Sequence, residues 1–331
     1  MELVRNNNIP VQEWERLAGI NIHSTPFQSY DFYSLVNSID GLTAEALSIA
    51  EEGHLRALVV VVVFHEAGLK GFFSRRAIIY GGPLIDDRYP DALERLLVEL
   101  ATVVGNRVIY TETRNLSDYS DYINVFSDYS WKYLPYCNFK LQTSDAEVMA
   151  KAVSSSRMRQ IRKAIKSGVK WREALNIIEV ETFYEILSRL YAKRIRKPVL
   201  PREFFRLVFE RHFGIYLLVF FNDKIIGGIM CPVFKGRALY EFYICGLDRE
   251  YREQYPSIIA TWAAMEYANK TGIPIFDFMG AGKSGTNYGV REFKAKFGGD
   301  LVEFGRFRRV YRPLLFGFGK IVLRLRSLMN I

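Results

Sequence analysis

Apolar positions organise the first third of the chain into strands and one clear helix. Leu55–Phe64 is an almost unbroken run of aliphatic and aromatic residues, as expected of a strand buried on both faces. His65–Lys70 reads as a turn, and Gly71–Tyr80 as the partner strand. Gly81-Gly82-Pro83 interrupts the pattern. The period then changes. Tyr89-Pro90 opens a helix through Val104, with Leu93, Leu96, Leu97 and Leu100 on one stripe. Gly105-Asn106 ends it, and Arg107–Thr111 returns to strand. Upstream, Pro26–Asn37 predicts a helix with an aromatic face.

The second half repeats this order. Gly214–Phe221 and Ile225–Val233 are strands joined at Asn222-Asp223-Lys224, and Arg237–Cys245 is a further strand. Tyr255-Pro256 opens a helix through Lys270, Thr271-Gly272 ends it, and Ile273–Met279 is a strand. The two Tyr-Pro starts lie 166 residues apart, so the pattern predicts a duplicated α/β unit. Between the halves, Ser156 is the expected N-cap of a helix that stops at Gly168. Its apolar stripe is Met158, Ile161 and Ile165, and Arg159, Arg162, Lys163 and Lys166 cover much of the rest. Phe183–Lys193 predicts one more helix, with Phe183, Ile186, Leu187, Leu190 and Tyr191 inward.

Composition and charge narrow the function. At 331 residues and 49% apolar, the chain is long enough for two globular domains. Cys137, Cys231 and Cys245 are too few and scattered for a disulfide framework. His23, His54, His65 and His212 never fall in a His-x-x-x-His spacing, so no metal is expected. The longest apolar run is far short of the about 20 residues of a membrane span. The N-terminus lacks the build of a signal peptide, so a cytoplasmic location is expected. Net charge is +9 but segregated. Residues 1–150 hold 12 basic and 20 acidic side chains, which leaves −8 there and +17 in the remainder. Lys151–Arg172 and Phe304–Ile331 contain eight and seven basic residues and no acid. Such a half predicts an anionic partner, nucleic acid or acidic lipid among them. The basic helix fits either a phosphate-facing surface or a solvated amphipathic face.

Several motifs point to ligands. Gly280-Ala281-Gly282-Lys283-Ser284-Gly285 satisfies G-x-G-x-x-G, but too little chain follows for a dinucleotide fold. As a P-loop it fails, because Asp277 stands where the first glycine belongs. From Tyr288 to Gly299, Arg291, Lys294 and Lys296 alternate with Phe293 and Phe297, a mixture that suits an anionic ligand. The stretch 306–326 mixes rings and arginines, as an interfacial helix on anionic lipid would, and a docked C-terminal helix or a tRNA-contacting tail fits it equally.

In order along the chain, Phe27-Gln28-Ser29, Asn138-Phe139-Lys140-Leu141 and Arg159 to Val169 form one set of landmarks. Tyr240-Glu241-Phe242-Tyr243, the Tyr255-Pro256 helix, Phe276-Asp277-Phe278-Met279-Gly280 and Phe293-Lys294-x-x-Phe297-Gly298-Gly299 continue it. Together they resemble the FemABX family of peptidoglycan bridge-forming aminoacyltransferases. The resemblance implies an α/β (α+β) fold of two tandem GNAT-like domains, each a mixed, mostly antiparallel sheet flanked by helices. The expected limits are 1–145 and 146–303, with a basic amphipathic tail over 304–331. It implies aminoacyl-tRNA as donor and a lipid-linked or nucleotide-linked peptidoglycan precursor as acceptor. No cofactor and no stable protein partner are implied, and the location is cytoplasmic or peripheral at the inner membrane face. The coiled-coil arm of larger members is absent. The lysine that follows the early aromatic motif in nucleotide-precursor-using members is replaced around Val36-Asn37.

In that reading Lys294 stabilises developing negative charge, Phe293 shapes the pocket, and Glu241 and Tyr243 orient the amine or move its proton. Strand alternation puts Glu241 and Tyr243 on one face. Asp277 ends the next strand and joins the substrate contacts, and Arg162, Lys163, Tyr255, Arg291 and Lys296 are the expected donor contacts. The alternative is a GNAT-like N-acyltransferase using acyl-CoA or acyl carrier protein on an amino sugar or lipid. Against CoA, Arg252 to Ser257 lacks the glycines of a pyrophosphate-binding turn, and Pro256 removes an amide donor.

Overall fold

The computed structural model describes residues 1–65, 75–195 and 198–328. The chain opens with β1 (Glu2–Arg5), α1 (Val11–Ile20) and α2 (Tyr30–Asn37). The hairpin β2 (Leu42–Glu51) and β3 (His54–Phe64) follows, then β4 (Arg76–Gly81) and β5 (Leu84–Ile85). Next come α3 (Pro90–Val104), β6 (Tyr110–Asn115), α4 (Ile123–Asp128) and β7 (Lys132–Leu134). The middle of the chain begins with β8 (Tyr136–Gln142), α5 (Ala146–Ala152), α6 (Ser155–Lys166) and β9 (Lys170–Glu173). It continues with α7 (Ile177–Leu190), α8 (Arg202–Glu210), β10 (Gly214–Phe221) and β11 (Lys224–Phe234). Then come β12 (Ala238–Tyr240), β13 (Tyr243–Gly246), α9 (Pro256–Lys270) and β14 (Ile275–Lys283). The chain closes with α10 (Gly289–Ala295), β15 (Asp300–Glu303), β16 (Arg306–Val310) and α11 (Pro313–Leu328). The expected turn over His65–Lys70 and the first part of the strand expected over Gly71–Tyr80 lie outside the described residues.

Contacts divide the chain into two units. One is residues 1–136 with the segment that returns at Phe304; the other is residues 137–303. The first sheet has the order β1-β2-β3-β4-β6-β16-β7, with β5 on β3. The second has the order β15-β8-β14-β12-β11-β10-β9, with β13 on β11. The duplication is therefore real at the level of topology. Each unit has an antiparallel hairpin, a third strand broken in two, a Tyr-Pro helix and a strand parallel to the first piece of the broken one. In the first unit the break falls at Gly81-Gly82, at φ +84° and +87°. A Cβ on Gly82 would lie 2.6 Å from the Tyr119 ring, so only glycine fits. In the second, Glu241 and Phe242 interrupt the strand.

Both Tyr-Pro helices form where expected, because proline is tolerated at the first helical position. In α3 the leucine stripe packs on the sheet with Val59, Val61, Val63, Ala77 and Ile79. Helix α9 is buried on nearly every side, with α6 and α5 packed against it. Its alanines (Ala260, Ala263, Ala264 and Ala268) leave room for that layer.

The expected boundaries need correction. The first division falls after Tyr136 rather than at 145, and 304–331 is not an independent tail. Strand β16 pairs antiparallel with both β6 and β7, which makes it an interior strand of the first sheet. Phe307 stacks on Phe126 at 3.9 Å with nearly coplanar rings. By sequence, the first unit then holds 18 basic and 18 acidic residues, and the second holds 27 and 18. The basic tail offsets an acidic N-terminal segment, and the excess of +9 belongs to the second unit.

Candidate functional site

In the second unit β12 and β14 run parallel only through Leu239↔Phe276 and Tyr240↔Asp277. Beyond that point β12 has ended, and the chain resumes as β13 on β11. Strand β14 therefore continues past the split with carbonyls that no longer face a β12 partner. Lys294, from α10, fills this role. Its buried ammonium donates to Phe278 O and, at 3.1 Å, to Gly280 O. Its Nζ lies 3.0 Å from Glu241 Oε1. Three acceptors match the three donors of an ammonium. Between the two carbonyls, Met279 sits at φ +55°, a strained conformation for a non-glycine residue.

Two carboxylates share the split. Glu241 N–H donates to Asp277 O at 2.9 Å, which ties the break in the third strand to β14. Asp277 Oδ1 accepts the Met279 N–H at 2.6 Å, and Lys140 Nζ stands 3.9 Å from Oδ2. Glu241 Oε2 and Asp277 Oδ2 are buried without a hydrogen-bond partner among the described residues. Burial pushes the Asp277 carboxyl up to about 6, against the opposing pull of Lys140, the Met279 amide and Lys294. Burial raises Glu241 too, although Lys294 works against it. The site thus holds the Lys294 ammonium and two carboxyls, each carboxyl with one oxygen outside any hydrogen bond among the described residues, and the Lys140 ammonium stands at its edge.

The expected residues separate into groups. Lys294, Glu241 and Asp277 come together. Phe293 lies beside them, half-buried against Phe297 at 5.3 Å. The Arg157 guanidinium covers both rings, 4.7 and 4.8 Å from their centroids. Beyond the interruption at Glu241–Phe242, the Tyr243 ring packs with Phe205 and Tyr191. Arg291 donates to Ala281 O at 3.0 Å, Thr286 O at 2.9 Å and Lys283 O, so it clamps the glycine-rich loop. Lys296 is exposed. Tyr255 caps α9 in a left-handed conformation at φ +50°.

Helix α6 differs from its expected face. Its N-cap is Ser154, whose Oγ accepts the Arg157 N–H, rather than Ser156. The buried stripe is Arg157, Ile161 and Ala164, whereas Ile165 is 51% exposed. Arg159, Arg162, Lys163 and Lys166 point to solvent. Lys163 is held by Glu253 at 2.9 Å, and Arg162 has no acidic partner among the described residues. Arg157 was hidden by its charge, although 157, 161 and 164 share one helical face. Lys140 was legible only as part of a longer motif.

The start of α9 settles a further point. Pro256 supplies no amide, Ser257 N–H donates to Asp248 Oδ1 at 3.1 Å, and Ser257 Oγ donates to Asp248 Oδ2 at 2.5 Å. A carboxylate already occupies the helix N-terminus, where an anionic ligand would otherwise be favoured.

Residues 155–295 match a family model described as an acetyltransferase (GNAT) domain. No curated protein matches the chain. Among solved structures, FemX is similar at 14% identity, covering 96% of this chain and 99% of FemX, with a TM-score of 0.72. The C-terminal domain of a putative lysylphosphatidylglycerol synthetase from Agrobacterium fabrum gives 11%, 91% of each chain and 0.61. A tandem GNAT protein from the clavulanic acid biosynthesis pathway gives 11%, 94% and 99%, and 0.59. The two broken-strand units thus form a tandem GNAT-like fold similar to that of FemX.

Proposed function

We propose that this chain, an acyltransferase of tandem GNAT fold, moves an amino acid from aminoacyl-tRNA to an amine of a peptidoglycan precursor. The observation that carries the choice of donor is the start of α9. The turn that would bind a CoA pyrophosphate lacks glycines, has lost an amide to Pro256 and is occupied by Asp248. Meanwhile the second unit carries the +9 excess and presents Arg159, Arg162 and Lys166 on one exposed helix. A polyanion binds such a surface through many phosphates at once.

The split between β12 and β14 supplies the chemistry. An acceptor ammonium loses a proton to a carboxylate, for which Asp277 near 6 and the raised Glu241 are suited. The neutral amine attacks the ester carbonyl, the new C–N bond forms, and a tetrahedral oxyanion develops. Lys294 stabilises that charge by releasing its longer contact, to Gly280 O. Collapse breaks the C–O bond: the ribose oxygen leaves with the proton the first carboxyl holds, and the new amide nitrogen gives its extra proton to the second carboxylate. Phe293, under Arg157, walls the site.

The acceptor meets the protein in the cytoplasm or at the inner membrane face. No helix among the described residues is long and apolar enough to cross a membrane. Membrane contact, expected over 306–326, narrows to α11, because β16 lies inside a sheet. Leu314, Phe318 and Ile321 form an exposed apolar stripe there, at the spacing of one helical face.

The test is incubation with charged tRNAs and either lipid-linked or nucleotide-linked precursors, followed by mass analysis of the acceptor. A gain equal to one amino-acid residue is expected, with the Lys294→Met variant at least about tenfold slower. An acyl gain that requires CoA or acyl carrier protein and no tRNA would overturn the reading in favour of the alternative.

A further inference from the structure

Arg157 is a buried cation with no step in the proposed chemistry. It lies on the inner face of α6 with 5% of its surface exposed. Nη1 donates to Gln160 Oε1 at 3.1 Å and Nη2 to Phe293 O at 3.4 Å, and neither acceptor carries a charge. Nε is buried without a hydrogen-bond partner among the described residues. Burial pulls the guanidinium below the ordinary arginine value. Asp248, whose field opposes that pull, is itself bound to the Ser257 N–H and Oγ. A charge met by neutral groups in this way is costly, and an apolar side chain of similar length would fill the same space with a lower desolvation cost. Packing alone therefore does not account for an arginine here.

What the guanidinium touches beyond α6 is the helix that carries Lys294. It faces the rings of Phe293 and Phe297, which flank Lys294 in the sequence. In a continuing helix the Phe297 N–H would donate to Phe293 O. Here it turns to Lys294 O at 2.9 Å, which leaves Phe293 O for Arg157. That carbonyl belongs to the peptide unit immediately before Lys294. Two further contacts hold the other side of the lysine. Ser154 N–H donates to Lys296 O at 2.9 Å. A Cβ on Gly298 would lie 2.6 Å from Ala152 O, so the two backbones meet directly. Residues 152–157 thus grip α10 before and after Lys294.

We propose that Arg157 is a positioning residue for Lys294: it fixes the last turn of α10 so that the ammonium meets Phe278 O, Gly280 O and Glu241 together. Those three acceptors come from β14 and from the interruption after β12, and a small slide or rotation of α10 takes Nζ out of reach of at least one. A buried ammonium that loses an acceptor is strongly disfavoured, so its place depends on how firmly α10 is held. Arginine suits this task better than lysine or an alkyl chain. Its planar fork donates to a carbonyl while its faces lie against two rings, which constrains both the distance and the rotation of α10. The consequence for transfer rests on the role given to Lys294 above. The placement of the ammonium stands on the geometry alone.

The test is labelling of the full chain at pH 8 with acetic anhydride, read lysine by lysine by peptide mass analysis, in the wild type, Arg157→Met and Arg157→Lys. In the wild type Lys294 reacts far more slowly than the exposed Lys224 and Lys270. Arg157→Met is expected to speed labelling at Lys294 by at least about tenfold, with Lys224 and Lys270 within about twofold. Its melting temperature stays within about 3 °C of the wild type, because the removed charge was costly to bury. Arg157→Lys, which restores a cation over the rings without the fork, gives an intermediate rate at Lys294. In the transfer assay Arg157→Met lowers kcat by at least about fivefold with KM for tRNA and acceptor within about twofold, and Arg157→Lys recovers part of the loss. Labelling of Lys294 that is unchanged in Arg157→Met, or that rises equally at all three lysines as the melting temperature falls, overturns the proposal. If Arg157→Met does not fold, the same criteria are applied to Arg157→Lys. A wild type that transfers no amino acid defeats the proposed function, and the labelling still decides the role of Arg157.

Discussion

Lys294 and Asp277 show how one split in a sheet changes the meaning of a side chain. A lysine is seldom buried, and here it is kept because two strand carbonyls and Glu241 take all three of its protons. Asp277 lacks such compensation, since Lys140 is 3.9 Å away and Oδ2 has no hydrogen bond among the described residues. Its pKa of about 6 follows from that deficit and has a definite sign. A raised carboxyl pKa means that protonation favours the folded chain. The cost of ionisation is absent below the unfolded value near 4 and complete above about 6, where it reaches about 2–3 kcal/mol. Asp277→Asn is therefore expected to raise the melting temperature at pH 8 and leave it nearly unchanged at pH 4. The same variant should remove the acid limb of the rate profile. Thermal unfolding across that range and pH–rate measurements check both. Glu241 and Asp277 were legible as polar residues beside predicted strands. The expectation that Glu241 and Tyr243 share a face assumes an unbroken strand, and nothing in Glu-Phe announces the interruption.

At the level of elements, the two Tyr-Pro helices and their preceding hairpins could be read from periodicity and punctuation alone. Strand β16 could not. Arg-Phe-Arg-Arg-Val reads equally as a basic amphipathic turn of helix, and its neighbours β6 and β7 lie more than 170 residues earlier in the chain. Its identity comes from pairing and from Phe307, which enters the core against Phe126. Phe307→Ala should accordingly cost about 3–5 kcal/mol in urea unfolding, whereas a ring on a free tail would cost almost nothing. Helix α6 teaches the complementary lesson. Arg157 is buried because its guanidinium stacks on Phe293 and Phe297 and donates to Gln160 Oε1 at 3.1 Å. A hydropathy pattern reads only its charge.

For the whole molecule, the fold redistributes charge. A sequence split of −8 and +17 becomes a balanced first unit and a second unit of +9. The cationic surface relevant to a polyanion is then the exposed face of α6. Replacing Arg159, Arg162 and Lys166 together by Gln should weaken tRNA binding and make the slope of log affinity against log salt shallower by about 2. Filter binding at several salt concentrations measures this, and an unchanged slope would place the tRNA elsewhere.

Local order along the chain determined a great deal: two copies of a strand–hairpin–helix–strand unit, the helices that open at Tyr-Pro, and the charged residue types that border the β12–β14 split. These depend on neighbours within a few turns, so short-range periodicity encodes them. Tertiary structure alone decided which distant strands pair, that β16 enters the first sheet, that Lys294 meets Glu241, and that three arginines converge on Glu112. Each of those outcomes depends on contacts between segments far apart in sequence, whose energies no local pattern carries.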